Sequence, residues 1–348
     1  MKTLKGTINL DIKETLERLT GSVGVSGAEN GACGTALELL REYAPDAECD
    51  PFGNVTALIK SGEPSARTLM LDAHIDQIGF IVSCIDGDGF LKVGACGGPD
   101  MRIMLAQSVT VHGVRDIRGV VSTLPPHVSS DHSKAPEVGD ISIDIGMSRE
   151  EAERLVPLGS RVTVDSAFRE LSDGVISAPS VDDRSGVCAI LYALELLRGK
   201  KLKYDLAVCF SAQEETGERG VKGAAFRLEP DEALAVDVSF GRTPDSAPHE
   251  TAALGSGVMI GYSAALDRRM SDRLKSVAAE RKIPYTIEVM PSSTGTNADS
   301  ISTSRAGVKC CTLSIPIRYM HTPIETVKLC DIESTAKLIC EYAAGGDQ

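Results

Sequence analysis

The chain has 348 residues, of which 42% are apolar and 24% are charged, as in an ordinary globular protein. This length exceeds that of a usual single-core domain, so we expect one large domain and a smaller one. The formal net charge of −13 argues against nucleic acid as a partner, because phosphate binding depends on clustered lysines and arginines. No stretch of eighteen apolar residues is present, which argues against a membrane span.

The N-terminus and the cysteines predict the compartment and the state of the thiols. Residues 1–11 contain no continuous apolar stretch of the kind found in secretory signals, and we therefore expect a cytoplasmic protein. The ten cysteines are scattered and form neither a CxxC pair nor a Cys/His cluster, so we expect most of them to be buried thiols rather than ligands of structural zinc. The adjacent Cys310 and Cys311 are expected to face opposite sides of one strand.

The N-terminal part of the chain is predicted to form helices followed by short strands. Apolar spacing between residues 11 and 42, with a Gly-rich break at 21–27, predicts two helices. A turn is predicted at residues 50–54, and it is followed by strands at 55–59 and 68–71.

The next part of the chain is typical of an all-β domain. Short apolar strands alternate there with glycine turns, and they are predicted at residues 78–85, 90–93, 108–113, 117–122, 141–145 and 161–164. The polar residues 125–139 are predicted to form a surface loop.

Beyond residue 165, helices alternate with apolar strands, as in a layered α/β domain. Further strands are predicted at residues 206–211, 233–238, 258–262, 285–289 and 310–315, and helices at 183–198, 217–226, 267–281, 298–306 and 329–342. The predicted fold is therefore α/β, a mixed sheet flanked by helices. Residues 1–76 and 166–348 are predicted to form this domain, and residues 77–165 a β-rich domain inserted into it.

The segment His74-Ile-Asp76 follows the apolar strand at 68–71. Open α/β sheets place their ligand sites at the carboxyl ends of strands, so this position favours function, although read alone the two residues could equally be a surface pair. Asp76 is the better candidate for a partner that holds the imidazole of His74 in one tautomer for metal binding.

Two adjacent acids, Asp182 and Asp183, stand at the start of the apolar helix predicted at 183–198. They could simply cap this helix and complement its dipole, for which one acid would suffice. Two carboxylates directly after Pro179-Ser180-Val181 suit a bridging metal ligand better, and we select Asp182 for that role.

Acids and a histidine also follow the later strands. After the strand at 206–211, one of Glu214 and Glu215 could coordinate a cation while the other faces the substrate, or the segment could be a solvated acidic loop. Asp237 interrupts an apolar strand, where a carboxylate is costly to bury unless it is paired or bound to a cation. His321 follows the strand at 310–315, although a single histidine there is more often structural.

These signals are individually weak, but all of them lie at or just after predicted strands of one α/β domain. Ligands of mixed imidazole and carboxylate type fit a dinuclear Zn, Co or Mn site, and a bridging carboxylate keeps the two cations within about 4 Å. The candidate ligands are His74, Asp182, Glu215, Asp237 and His321.

With these motifs in place, the sequence resembles the tetrahedral aminopeptidases of metallopeptidase family 42. That family includes glutamyl aminopeptidases and proteins labelled cellulase M or endoglucanase. The resemblance covers nearly the whole chain, and the motifs that carry it lie at residues 73–80, 180–186, 213–217, 219–220 and 315–323.

The resemblance implies a role for each candidate residue. Asp182 would bridge two divalent metal ions, Zn, Co or Mn, with His74 and Asp237 completing one site and Glu215 and His321 the other. Glu214 would be the general base, with Asp76 supporting the site, for removal of N-terminal residues from short peptides. The inserted domain would be a small β-barrel or PDZ-like domain used in dimerisation, and the dimers of many members assemble into a tetrahedral dodecamer.

Two residues depart from the family pattern. Gln77 stands where relatives commonly have Glu, and Asn297 stands where Thr-Asp-Ala is usual. Neither is an expected metal ligand, but each removes a carboxylate near the expected cleft and so affects substrate preference.

Three other functions are compatible with the residues. An N-acyl amino acid deacylase could use the same metals. A glycoside hydrolase would instead need two carboxylates across a sugar and no metal. The chain could also be a metal-binding scaffold without catalysis, which the presence of Glu214 together with all five ligands disfavours.

Overall fold

The computed structural model describes residues 10–122, 127 and 135–344. Their strands form an eleven-stranded mixed sheet and a closed six-stranded barrel, and helices flank the sheet. The predicted fold class, an α/β sheet with a small β-barrel, is confirmed. Most of the loop predicted at residues 125–139 lies outside the described residues. None of the helices in the described part is both long enough and apolar enough to span a bilayer.

The helices and strands have the following bounds. The strands are β1 Glu48–Cys49, β2 Val55–Ile59, β3 Thr68–His74, β4 Gly79–Ile85, β5 Leu91–Cys96, β6 Ser108–His112, β7 Asp116–Ser122, β8 Ser142–Asp144, β9 Arg161–Val164, β10 Arg169–Glu170, β11 Val175–Ala178, β12 Asp205–Ser211, β13 Glu232–Phe240, β14 Val258–Ser263, β15 Tyr285–Met290, β16 Lys309–Arg318 and β17 Glu325–Lys328. The helices are α1 Ile12–Thr20, α2 Asn30–Arg41, α3 Arg149–Leu155, α4 Val181–Leu197, α5 Arg219–Leu228, α6 Arg268–Arg281, α7 Asn297–Ser302 and α8 Leu329–Ala344.

The central strands of the large sheet are parallel. Its order is β1-β2-β12-β3-β13-β16-β17-β11-β10, with β14 pairing with β16 and β15 with β14. Strands β12, β3, β13 and β16 run in the same direction, and Ser211 at the end of β12 is opposite His74 at the end of β3. The carboxyl ends of four strands therefore lie along one edge of the sheet.

The chain enters the barrel directly after β3, the strand of the large sheet that ends at His74. Its order is β4-β5-β8-β7-β6-β9, and its interior is filled by apolar side chains that include Phe80, Val109 and Ile143. Strand β4 begins at Gly79 and β9 ends at Val164. Both positions lie within the predicted limits of 77–165, and those domain limits stay a prediction.

Helix α4 is the central helix of the core. Its apolar stripe, which the sequence predicts from helical spacing, is buried and consists of Val187, Ile190, Leu191, Leu194 and Leu197. Residues Cys188, Ala189 and Ala193 on other faces are buried as well. The helix contacts β3 and β13 on the sheet, and α1 and α8 cover it from other sides. A helix enclosed in this way must be apolar nearly all round, which a single stripe does not describe.

The structure differs from the predicted elements in a few places. Helix α3 was not predicted, although Ser148 and Glu151 form a capping box at its start. Strands β1, β10, β11 and β17, each of two to four residues, were also missed because they are short. The helix predicted at 298–306 ends at Ser302, and the chain then turns at Arg305 and Gly307 with positive φ. The prediction for the adjacent cysteines is confirmed, because Cys310 and Cys311 pack into different apolar clusters.

Replacing Ile190 with alanine tests the role of α4. This side chain is fully buried, so its truncation leaves a cavity between helix and sheet. We expect the free energy of unfolding to fall by about 2–5 kcal/mol, measured by urea denaturation. The control is Val289→Ala, because Val289 is 74% exposed. Equal effects of the two substitutions would contradict the central position of α4.

Candidate metal centre

The carboxyl edge of the parallel strands brings the candidate ligands together. His74 is the last residue of β3, Asp237 lies in β13, and Glu215 and His321 follow β12 and β16. Asp182 lies at the start of α4. The ligand atoms form two groups within which every pair lies within 4.8 Å, namely His74, Asp182 and Asp237, and Asp182, Glu215 and His321.

Asp182 is the residue shared by the two groups. Its Oδ1 lies 2.9 Å from His74 Nε2, and its Oδ2 lies 3.5 Å from His321 Nε2. The outer acids complete the arrangement, since Asp237 Oδ1 is 4.0 Å from His74 Nε2 and Glu215 Oε1 is 3.6 Å from His321 Nε2. One carboxylate thus faces two imidazoles through its two oxygens, as a bridging ligand must.

The neighbouring acid, Asp183, performs the capping role that was the alternative for this motif. Residues Asp182 and Asp183 have non-helical backbone angles, so the regular part of the helix begins after them. Asp183 Oδ1 accepts from the backbone N–H of Gly186 at 3.0 Å, and Oδ2 accepts from that of His74 at 3.2 Å. Because Asp183 caps the helix and fixes β3, Asp182 is left to face the imidazoles.

The carboxylate of Asp76 contacts the segment with Glu214 and Glu215 more closely than it contacts the imidazole of His74. Its Oδ1 accepts from the backbone N–H of Glu214 at 2.9 Å and its Oδ2 from that of Glu215 at 3.2 Å. His74 Nδ1 lies 3.2 Å from the Asp76 carbonyl oxygen and 3.5 Å from Oδ1. Asp76 therefore orders the segment with the two glutamates, and its carbonyl is the nearer partner of the imidazole.

The sequence analysis missed Glu325, which holds the second half of the centre. This buried carboxylate accepts from the backbone N–H of Asp182 at 3.0 Å and from that of His321 at 2.9 Å. It thereby joins two candidate ligands that are far apart in sequence. A signal in the sequence was its position, since it is the one acid in the His-Thr-Pro-Ile-Glu segment that begins at His321 and leads into β17.

The barrel contributes the wall beside His321 and Glu215. The Gly98 carbonyl lies 3.0 Å from His321 Nδ1, which leaves Nε2 of that ring free to face Asp182. A Cβ atom at Gly97 would lie 2.8 Å from Glu215 Oε2, and Gly97 has a φ of +77°. Glycine is required there because the backbone approaches the carboxylate closely.

The centre concentrates negative charge where water is scarce. Burial raises the pKa of Glu214 to about 7 and that of Glu215 to about 8, with the negative charge of Asp182 adding to both shifts. Burial also raises the pKa of Asp237 well above its ordinary value. Such a group of carboxylates needs compensating positive charge to remain ionised.

The histidines supply only part of this charge. The hydrogen bond to Asp182 raises the pKa of His321 to about 9, although burial opposes the shift. For Asp182, burial favours the neutral acid, but hydrogen bonds from His321 and His74 outweigh it and hold its pKa below the usual range. A donor set of two imidazoles and three carboxylates, with one carboxylate shared, fits a pair of divalent cations.

The two departures from the family pattern lie outside this group. Gln77 Oε1 accepts from Arg184 Nη2 at 2.9 Å and from the Gly24 backbone N–H at 3.2 Å. Asn297 is buried and donates from Nδ2 to Asp72 Oδ2 at 2.7 Å and to Ser211 Oγ at 2.8 Å. Asn297 therefore accompanies a buried carboxylate at position 72, where a second carboxylate at position 297 would repel the first.

Comparison with known proteins identifies the family. A sequence profile of the M42 glutamyl aminopeptidases matches residues 53–338. The chain belongs to the M42 glutamyl aminopeptidase family. It is therefore a peptide hydrolase, and the expectation from the sequence motifs is confirmed.

Individual members of the M42 family are similar over nearly the whole chain. Lysyl aminopeptidase of Pyrococcus furiosus is 33% identical over 93% of this chain and 94% of its own length. The structure of an aminopeptidase from Desulfurococcus kamchatkensis has a TM-score of 0.90 and 33% identity, covering 96% of this chain and 95% of that one. The TET1 peptidase of Pyrococcus horikoshii, which can assemble into a tetrahedron or a large octahedral shell, has a TM-score of 0.84 and 30% identity, covering 96% and 99%.

Exchanging the polar groups beside the sheet tests the pairing of Asn297 with Asp72. Asn297→Asp places two buried carboxylates in contact and removes the amide donor, so we expect a loss of about 1–3 kcal/mol in the free energy of unfolding. The double variant Asp72→Asn/Asn297→Asp restores one amide and one carboxylate, and is expected to recover most of this loss in urea denaturation. An unchanged stability of Asn297→Asp would contradict the pairing.

Proposed function

We propose that this M42 family member is an aminopeptidase with two divalent metal ions that removes N-terminal residues from short peptides. The observation that carries the proposal is the position of Asp182 between His74 and His321, with a separate carboxylate oxygen facing each imidazole. A structural salt bridge would need only one of these histidines. Two imidazoles around one buried carboxylate, each accompanied by a further acid, instead suit two cations that share a ligand.

In the proposed centre, His74 and Asp237 would hold one cation and Glu215 and His321 the other, with Asp182 shared. Zn, Co and Mn all suit this donor set. When bound, such ions supply Lewis acidity for the scissile carbonyl and lower the pKa of water. The residues around the ligands keep them oriented, since Glu325 fixes Asp182 and His321, and Asp76 fixes the segment with Glu215.

Glu214 is the proposed general base. It belongs to neither ligand group, but its backbone is fixed by Asp76 beside the centre. Burial raises the pKa of its carboxyl to about 7, so the group can both accept and release a proton near neutral pH. Glu214 would take the proton of the attacking water and return it to the leaving amine.

The alternative functions fit the site less well. A glycoside hydrolase has no use for two imidazoles facing one carboxylate, since its catalysis rests on two carboxyl groups alone. A deacylase of N-acylated amino acids could use the same ligands and base. It differs from an aminopeptidase in the substrate terminus, because it acts on a blocked amine rather than a free one, and a comparison of free and N-acetylated dipeptides separates the two.

We further propose that the chain forms a homo-oligomer built from dimers. The support is the similarity over nearly the whole chain to the TET1 peptidase, whose assemblies are a tetrahedron and an octahedral shell. Large apolar side chains that are more than half exposed, such as Phe240 and Val114, are available for contacts between copies. Mass photometry of the full chain distinguishes a dimer from a dodecamer.

Metal content after mild dialysis tests the shared ligand. We expect about two equivalents of Zn or Co per chain in the unmodified protein. Asp237→Ala should retain about one equivalent, since only one ligand group is affected, whereas Asp182→Ala should lose both ions because it removes a ligand from each group. The exposed Asp245 provides the control, and Asp245→Ala should retain both. Equal metal contents of Asp182→Ala and Asp237→Ala would argue against a bridging role.

Glu214→Gln tests the base. The variant keeps the size of the side chain but cannot accept a proton, so we expect unchanged metal content and a loss of about 10²–10⁴ in kcat for aminoacyl p-nitroanilides. The control is Glu150→Gln, since Glu150 is exposed on α3 in the barrel and should leave kcat unchanged. Full activity of Glu214→Gln would exclude it as the base. Release of sugar from carboxymethylcellulose that resists a chelator would favour the glycoside hydrolase instead.

A further inference from the structure

Two cysteines from different elements lie in direct contact on the side of the sheet that ends with β1. Cys33 is in α2 and Cys49 is the last residue of β1, and their Sγ atoms are 2.6 Å apart. Among the strands of the described residues, β1 pairs with β2 alone, at the edge of the sheet, while α2 packs over both strands. The contact therefore joins a helix to an edge strand of the sheet.

The two thiols have different environments. Cys33 is 6% exposed, and burial together with the hydrogen bond to Cys49 raises its pKa to about 12. Cys49 is exposed to solvent. An oxidant in solution therefore meets Cys49 first, and Cys33 is positioned behind it as the second thiol.

We propose that Cys33 and Cys49 are a site of reversible disulfide formation that ties α2 to the edge of the sheet. With a low-molecular-weight disulfide as oxidant, the Cys49 thiolate attacks one sulfur and releases one thiol, giving a mixed disulfide. Cys33 then gives up its proton and attacks the Cys49 sulfur, and the second small thiol leaves. The small disulfide is reduced to two thiols while the two cysteines lose two electrons and two protons.

A disulfide between Cys33 and Cys49 would restrain a segment of the chain that is hydrogen-bonded to the candidate metal centre. Asp50 follows Cys49 directly, and its carboxylate accepts from the Asn54 backbone N–H at 3.1 Å and from Asn54 Nδ2 at 2.8 Å. Asn54 Oδ1 in turn accepts from the Ala212 backbone N–H at 2.9 Å. Ala212 is two residues before Glu214, so the turn that follows Cys49 is connected to the segment with Glu214 and Glu215 by two hydrogen-bonded steps.

Peptide mapping tests the bond itself. Trypsin cleaves after Arg18, Arg41 and Lys60, so Cys33 and Cys49 fall in separate peptides, 19–41 and 42–60, that contain no other cysteine. After incubation of the full chain with glutathione disulfide and alkylation, we expect peptides 19–41 and 42–60 to be linked, and reduction to separate them. Cys33→Ser should instead accumulate glutathione on Cys49. Glutathione that remains on Cys49 in the unmodified chain, with no linked peptides, would overturn the proposal.

Thermal stability and amide hydrogen exchange test whether the disulfide ties α2 to the sheet and restrains the segment near Glu214. Closing a loop between cysteines 16 positions apart should raise Tm by about 5 °C and slow amide exchange in residues 211–217. Cys49→Ser should show neither change, and it should fold normally because Cys49 is exposed. Cys84→Ser removes another exposed thiol and should behave as the unmodified chain. Linked peptides without a rise in Tm would overturn the tie between α2 and the sheet, and so would an equal rise in Cys49→Ser.

Discussion

The carboxylate of Asp182 between His74 and His321 is the contact on which the rest of the centre depends. Asp182 Oδ1 is 2.9 Å from one imidazole and Oδ2 is 3.5 Å from the other. To reach this position the chain leaves β11 and turns through Ser180 with a φ of +57°, and the regular helical part of α4 begins after Asp183. The neighbouring carboxylate of Asp183 makes this possible, because it caps the helix and binds the end of β3.

The surrounding structure places the other residues relative to this contact. Parallel strands bring His74, Glu215, Asp237 and His321 to one edge, and the barrel begins directly after His74 and Asp76. This connection explains why barrel residues Gly97 and Gly98 reach Glu215 and His321. The insertion therefore forms one wall of the centre in addition to being a separate β unit.

Much of the fold was predictable from the sequence, because periodic apolar segments indicate the strands and helices. The grouping of the candidate ligands was predictable as well, because these acids and histidines lie at or just after strand ends, which meet at one edge of the sheet. Asp183 as the cap and Glu325 as the support were not predicted. Their roles depend on backbone N–H groups of residues distant in sequence, and side-chain type carries no information about such partners. His321 adopts a φ of +62°, and the path of the loop that holds it is likewise set by tertiary contacts. Asn297 could be recognised as a departure, but its pairing with Asp72 required the register of the strands and α7.

Anomalous diffraction from a crystal of the metal-loaded protein is the most direct test of the shared carboxylate. If Asp182 bridges two ions, two peaks are expected about 3.5–4 Å apart, each within about 2.0–2.2 Å of a different oxygen of Asp182. A single peak, or two peaks of which only one contacts Asp182, would contradict this bridging role.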